Sequence, residues 1–152
     1  MVANQKKILV TGAAGFLGAA LVRRLITLGL EVVGIDDLNS YYDVTLKQAR
    51  LNTIDQLRKP LNDSWTFYEL NIQDYTSLKK IADEHNSINI IVNLAAQAGV
   101  RYSIKNPHAY TQSNLVGFSN ILEIARYLSV DHFIYASSSS VYGGNTNFPF
   151  VE

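Results

Sequence analysis

The sequence has no cysteine. That absence excludes disulfides, thiolate metal sites and a cysteine nucleophile, and it fits a cytoplasmic protein. An excess of charge is also lacking: 13 Lys and Arg balance 13 Asp and Glu. Such a chain carries no electrostatic footprint for nucleic acid or an anionic membrane, and neither partner is expected. No apolar run reaches the roughly 18 residues that read as a membrane-spanning helix. His85, His108 and His132 lack metal spacing or a triad partner, so they read as helix-end or turn residues and no metal is expected. Internal repeats, charge blocks and low-complexity linkers are missing too.

What remains is an ordinary globular composition. The 152 residues are 47% hydrophobic and 17% charged, which reads as one domain spanning 1–152. A compact chain of this size buries about 68–70% of its unfolded surface. Lys6 and Lys7 before the apolar run Ile8 to Val22 imitate a signal peptide. Gly12, Gly15 and Gly18 at regular spacing, followed by Arg23 and Arg24, give that run a different meaning.

Apolar runs alternate with helical patterns along the whole chain. "KILVTG", "EVVGID", "WTFYEL", "INIIVNLAA" and "HFIYASS" read as five strands, the first too uniformly apolar for a two-faced strand and suited to a parallel strand buried on both faces. Between them lie helical stretches. The first has a stripe at Leu17, Leu21, Leu25 and Leu28 closed by Gly29. The second, "TLKQARLNTIDQLRK", has Pro60 just beyond its end. A third is capped by Asp74, and a long fourth is entered through Pro107. Alternation of this kind predicts an α/β fold with a parallel, doubly wound, Rossmann-like sheet of order 3-2-1-4-5 and helices on both faces. "DLNSYYDV" reads as a loop over the ligand edge of that sheet.

"VTGAAGFLG" places Gly12, Gly15 and Gly18 directly after strand one and at the opening of helix one. In that context Gly12 permits a tight turn, Gly15 lets the backbone approach a pyrophosphate, and Gly18 lets the helix pack closely. The free N–H groups and the positive end of the helix dipole face the phosphates. Strand two ends at Asp36, 18 residues after Gly18. An acid there can accept hydrogen bonds from both adenosine ribose hydroxyls and repel a 2′-phosphate, which favours NAD over NADP. No arginine stands beside it in the sequence, only Asp37.

With these residues in view, the chain resembles the extended short-chain dehydrogenase/reductases, in particular the NAD-dependent nucleotide-sugar epimerase/dehydratase family. "TGAAGFLG", "GIDDLNSYYD", "NLAAQAGVRYSIKNPHAY" and "YASSSSVYG" occur in family order, and "AAQAGVRYS" with the "YYD" loop looks most like the UDP-glucuronate 4-epimerase branch. The resemblance implies that Gly12, Gly15 and Gly18 form the pyrophosphate loop, with Phe16 and Leu17 donating backbone N–H groups. It implies that Asp36 takes the adenosine ribose, that Asn71 and Ile72 flank the adenine where the family has Asp-Ile, and that Leu94, Ala95 and Ala96 line the cofactor. Asn114 would support the site from the long helix, and Ser138 would be the active-site hydroxyl.

The implied activity is epimerisation of a UDP-sugar, with UDP-glucuronate favoured, by transient hydride transfer at sugar C4. Ser138 would align the 4-hydroxyl for a tyrosine made acidic by a nearby lysine and the nicotinamide charge. Ser139 and Ser140 stand where the family's dehydratases carry an Asp-Glu pair, so they point to substrate contact rather than dehydration. Arg101 could pair with a glucuronate carboxylate or a substrate phosphate. The family's tyrosine and lysine form a YxxxK downstream of the serines. The YxxxK in this sequence, Tyr75 to Lys79, precedes Ser138 by more than 50 residues and reads as a surface pair. The expectation is therefore an N-terminal half of an epimerase, lacking the base and the substrate-binding lobe and inactive alone, with a homodimer permitted for the complete protein. A stand-alone NAD-binding module, a UDP-glucose 4-epimerase and a 4-reductase are the competing expectations.

Overall fold

The computed structural model describes residues 6–58 and 64–151. Five strands, β1 (Lys7–Thr11), β2 (Glu31–Asp36), β3 (Trp65–Glu69), β4 (Ile88–Asn93) and β5 (His132–Tyr135), form one sheet. Its order is β3-β2-β1-β4-β5, and every neighbouring pair is parallel. This is the expected doubly wound arrangement. The helices are α1 (Phe16–Thr27), α2 (Val44–Arg58), α3 (Tyr75–Glu84), α4 (Val100–Lys105), α5 (Pro107–Tyr110) and α6 (Phe118–Leu128), with a π-helical segment, Thr111–Gly117, joining α5 to α6. The end of α2 expected near Pro60 lies outside the described residues.

Strand side chains alternate between two cores, because successive residues of a strand point to opposite faces. Ile8, Val10 and Val32 pack with Val22 and Ile26 of α1 and with Leu51 and Ile54 of α2. Leu9, Val33 and Ile91 face Leu78 and Ile81 of α3 and Ile121 and Ile124 of α6. Burying an aliphatic side chain of this kind stabilises the fold by about 1.5–3 kcal/mol. The fully buried Ile54 therefore fastens α2 firmly to the sheet. Gly34 in β2 is required by packing: a β-carbon there would collide with the indole of Trp65, whose Nε1 donates to Asp55 Oδ1 at 3.1 Å.

Local structure departs from the sequence pattern in several places. The buried face of α1 is Gly18, Ala19, Val22 and Ile26, turned by one residue from the expected leucine stripe, with Leu17 64% and Leu28 56% exposed. The reason is contact at the first turn. Gly18 sits against the Gly12 carbonyl oxygen, where any side chain would overlap it, and this sets the rotation of the helix. The fourth strand ends at Asn93, before Leu94 to Ala96, and the fifth ends at Tyr135, before the serines. Ser139–Tyr142 instead form a 3₁₀ turn capped by Ser138. His132 opens β5 rather than a turn, while His85 is the C-cap of α3. Asp74 caps α3 as expected, accepting from Ser77 N at 3.1 Å.

Candidate functional site

The carboxyl ends of β1, β2 and β4 open onto one cleft of about 460 Å³, walled by Gly12 and Gly15, by Asp36 and Asp37, by Ser40 to Tyr42 and Lys47, by Leu70 to Gln73, and by Leu94 to Ala98 with Tyr102. Strand order reverses between β1 and β4, and ligands of open α/β sheets bind at such a switch point.

Its floor is the glycine turn. Gly12 has φ +69°, and a β-carbon there would lie 2.9 Å from the main chain of Leu94 and Ala95. Gly15 N donates to Gly12 O at 2.9 Å, and Ala13 N donates to Ile35 O at 3.1 Å, tying the turn to β2. Gly15 caps α1 without a side chain, so the first-turn N–H groups, those of Phe16 and Leu17 included, have no intrahelical acceptor. The side chains of Phe16 and Leu17 are 78% and 64% exposed, and neither they nor Gly18 form part of the cleft wall. Gly18 acts one layer below, by letting α1 close onto Gly12.

Asp36 is buried, and its carboxylate is largely committed within the chain. Oδ2 accepts from Ala14 N at 3.1 Å; Oδ1 accepts from Leu38 N at 2.9 Å and from Lys47 Nζ at 3.1 Å. A carboxylate has about four acceptor directions, so this one retains room for one further donor rather than the two expected. Although no cation neighbours Asp36 in the sequence, α2 delivers one, Lys47. Lys47 is buried, and Arg50 Nη1 donates to Tyr42 OH at 2.9 Å and to Ala14 O at 3.2 Å. The signal was present: Lys47 lies on the same helical stripe as Leu51 and Ile54, a cation where an apolar residue belongs.

Asn71 and Ile72 stand in the cleft wall. Asn71 Nδ2 donates to Asp37 Oδ2 at 3.1 Å. A carboxylate at position 71 would repel Asp37 instead, which accounts for an amide here. Asn114, in the π-helical segment, does not reach the cleft. Its Oδ1 accepts from Gln97 N at 2.8 Å and its Nδ2 donates to Gln97 O at 3.0 Å, so it fixes the wall through the main chain. Arg101 is exposed on α4 and outside the cleft wall. Ser138, Ser139 and Ser140 are likewise exposed and outside it, with Ser138 Oγ accepting from Ser140 N at 3.3 Å. The structure thus brings together Gly12, Gly15, Asp36, Asn71, Ile72 and Leu94 to Ala96, and leaves the serines and Arg101 beyond them.

Tyr75 and Lys79 are on the outer surface of α3. Lys79 Nζ lies 3.3 Å from Asp83 and 4.0 Å from the centre of the Tyr127 ring. Both contacts belong to the α3–α6 side of the sheet, away from the cleft. Among the described residues, no group of three His, Cys, Asp or Glu could hold a metal ion, and no helix is long and apolar enough to cross a membrane.

A parallel sheet with a glycine turn beneath its switch point, and an acid at the end of β2, defines the Rossmann-like class of nucleotide-binding folds. Within that class the chain belongs to the NAD dependent epimerase/dehydratase family, which matches residues 8–152. It is 50% identical over 145 residues to Protein CapI of Staphylococcus aureus, covering 95% of this chain and 41% of that one. To the UDP-glucuronate 4-epimerase of Thermodesulfobacterium geofontis it is 42% identical, covering 95% and 42%. The structure resembles a UDP-glucuronic acid 4-epimerase variant of Bacillus cereus, solved in complex with UDP-4-deoxy-4-fluoro-glucuronic acid and NAD, with TM-score 0.77 and 34% identity over 93% of this chain and 43% of that one. The chain spans about two fifths of the length of these relatives.

Proposed function

We propose that the chain is the NAD-binding part of a UDP-sugar 4-epimerase, with UDP-glucuronate as the sugar nucleotide. One observation carries the reading. The glycine turn, Asp36, the Asn71–Ile72 pair and the Leu94–Ala96 turn, far apart in sequence, wall a single cleft. The turn is packed so closely that a β-carbon on Gly12 or Gly15 would lie within about 3 Å of main-chain atoms, which keeps the floor of the cleft bare main chain, as a dinucleotide requires. The first-turn N–H groups of α1 hold the diphosphate, Asp36 accepts from the adenosine ribose, and Asn71 and Ile72 flank the adenine. NAD, when bound, supplies the hydride acceptor and donor at sugar C4.

In this reading Ser138 aligns the sugar 4-hydroxyl, and Ser139 and Ser140 contact the sugar. Arg101 pairs with an anionic group of the substrate. The base in this reading is the tyrosine of the family's YxxxK pattern, made more acidic by the lysine of that pattern. The serines and Arg101 lie outside the cofactor cleft, and this reading has the sugar nucleotide bind beyond that cleft. The cysteine-free sequence supports a cytoplasmic setting.

Calorimetric titration with NAD tests the cofactor assignment. The unaltered chain is expected to bind, and Asp36→Arg to weaken binding more than tenfold. Equal titration curves for the two proteins would sink the ribose assignment.

A further inference from the structure

We propose that Asp36 acts as an internal anion filling a ready-made phosphate pocket, and that Lys47 is the residue that would accept an NADP 2′-phosphate once that anion is removed. The inference rests on the reading of the cleft as an NAD site, and concerns how it tells NAD from NADP.

Three donors converge on the Asp36 carboxylate: the Ala14 amide at 3.1 Å, the Leu38 amide at 2.9 Å and the Lys47 ammonium at 3.1 Å. Asp36 and Lys47 are only 7% and 4% exposed. Two main-chain N–H groups and a buried ammonium facing one point form an anion pocket of the kind that holds phosphate elsewhere. Here a side chain of the protein occupies it. Lys47 has a second, weaker anionic neighbour, Asp37 Oδ1 at 3.9 Å. Its base is fixed, because Leu51 and Ile54 bury α2 against the sheet. Removing the Asp36 carboxylate would leave the Ala14 and Leu38 amides and a buried ammonium without their acceptor. Unsatisfied buried donors are costly, and an unpaired buried charge more so. A 2′-phosphate has the charge and the oxygens to satisfy all three.

The preference for NAD therefore comes from occupancy as well as repulsion: the carboxylate stands where the 2′-phosphate would go and takes its donors. Lys47 then has two consequences. With Asp36 in place it neutralises the acid and holds its carboxylate in position for the ribose. With Asp36 gone it becomes the principal cation for a phosphate.

The test uses Asp36→Ala with adenosine 2′,5′-bisphosphate and 5′-AMP as probes, read by calorimetry and by the shift in melting temperature. The unaltered chain is expected to favour NAD over NADP and 5′-AMP over the bisphosphate. Asp36→Ala is expected to reverse both orders, with the bisphosphate at least tenfold tighter than on the unaltered chain and with a larger thermal shift than 5′-AMP gives. Adding Lys47→Met is expected to abolish that gain. Asp36→Ser, which keeps one oxygen near the Ala14 amide, is the second variant should the alanine protein not fold. Absence of the gain in a folded Asp36 variant, or its persistence in the double variant, overturns the inference and leaves the NAD reading standing. Failure of the unaltered chain to bind NAD or 5′-AMP overturns the NAD reading itself.

Discussion

At the scale of single residues, the chain separates groups that pack from groups that titrate. Tyr68 of β3 and His85, the C-cap of α3, pair on the α3 face of the sheet, with the Tyr68 hydroxyl 2.7 Å from His85 Nε2. Burial, and secondarily a hydrogen bond with Glu84, push the Tyr68 hydroxyl up to about 12, so it stays protonated at neutral pH. Burial, and secondarily the charge of Lys7, lower the His85 value, while Glu84 and Glu31 oppose them. The folded imidazole therefore binds a proton less readily than the unfolded one, whose pKa is about 6.5. Its contribution to stability is complete above about 6.5 and is lost as pH falls from there toward the lowered folded value. Urea denaturation at pH 7.5 and 5.5 should show stability falling with acid, and His85→Gln should flatten that fall. Equal slopes for the two proteins would remove His85 from the account.

At the scale of elements, the loop after β2 reaches across the cleft to the segment after β4. Tyr41 packs on Tyr102 with ring centres 5.0 Å apart, and Tyr102 contacts Tyr110 at 6.5 Å. Gly99, with φ +97°, has no room for a side chain beneath the Tyr41 hydroxyl, and its carbonyl accepts from Tyr110 OH. Two loops from opposite sides of the switch point are thus clasped over the middle of the cleft. An aromatic pair of this kind contributes about 0.5–1.5 kcal/mol beyond its buried area. Opening the clasp by Tyr41→Ala should speed NAD release by about two- to tenfold, measured by stopped-flow fluorescence, and should lower the melting temperature of the ligand-free chain by a few degrees. An unchanged release rate would show that the clasp does not retain the ligand. The π-helical segment belongs to the same construction, because it carries Asn114, which holds the Gln97 main chain from both sides.

At the scale of the molecule, the two ends of the sheet are unequal. Both β3 and β5 are edge strands, but β3 buries Trp65 in the core with Leu51 and Ile54 of α2, whereas β5 has Ile134 44% and Tyr135 57% exposed, close in sequence to the exposed Val141, Phe148 and Val151. Unpaired strand edges with apolar side chains promote association. Ile134→Lys should lower concentration-dependent light scattering while shifting stability by no more than about 0.5 kcal/mol, the usual range for surface positions. Scattering unaffected by the substitution would place the sticky surface elsewhere.

Strand number, strand order and the glycine turn were legible in the linear sequence because each follows from local chemistry: apolar runs of strand length, helical periods between them, and glycines where a side chain would strike main chain. Asp36, Asn71 and the Leu94–Ala96 turn were legible as separate marks on strand ends. Their union in one cleft is a property of parallel pairing, which aligns the carboxyl ends of β1, β2 and β4. The phase of α1 was not legible, because contact of Gly18 with Gly12, rather than the leucine period, sets its rotation. The cation at Asp36 was legible only in part: the helical stripe marks Lys47 as inward-facing, but not the acid that it meets. Lys47 is 11 residues away in the chain, and only the packing of Leu51 and Ile54 carries its ammonium to the carboxylate. The sequence by itself determined the class of fold and the positions that could meet a dinucleotide. The tertiary structure decided how the acid is held, since a buried charge must find its partners in space.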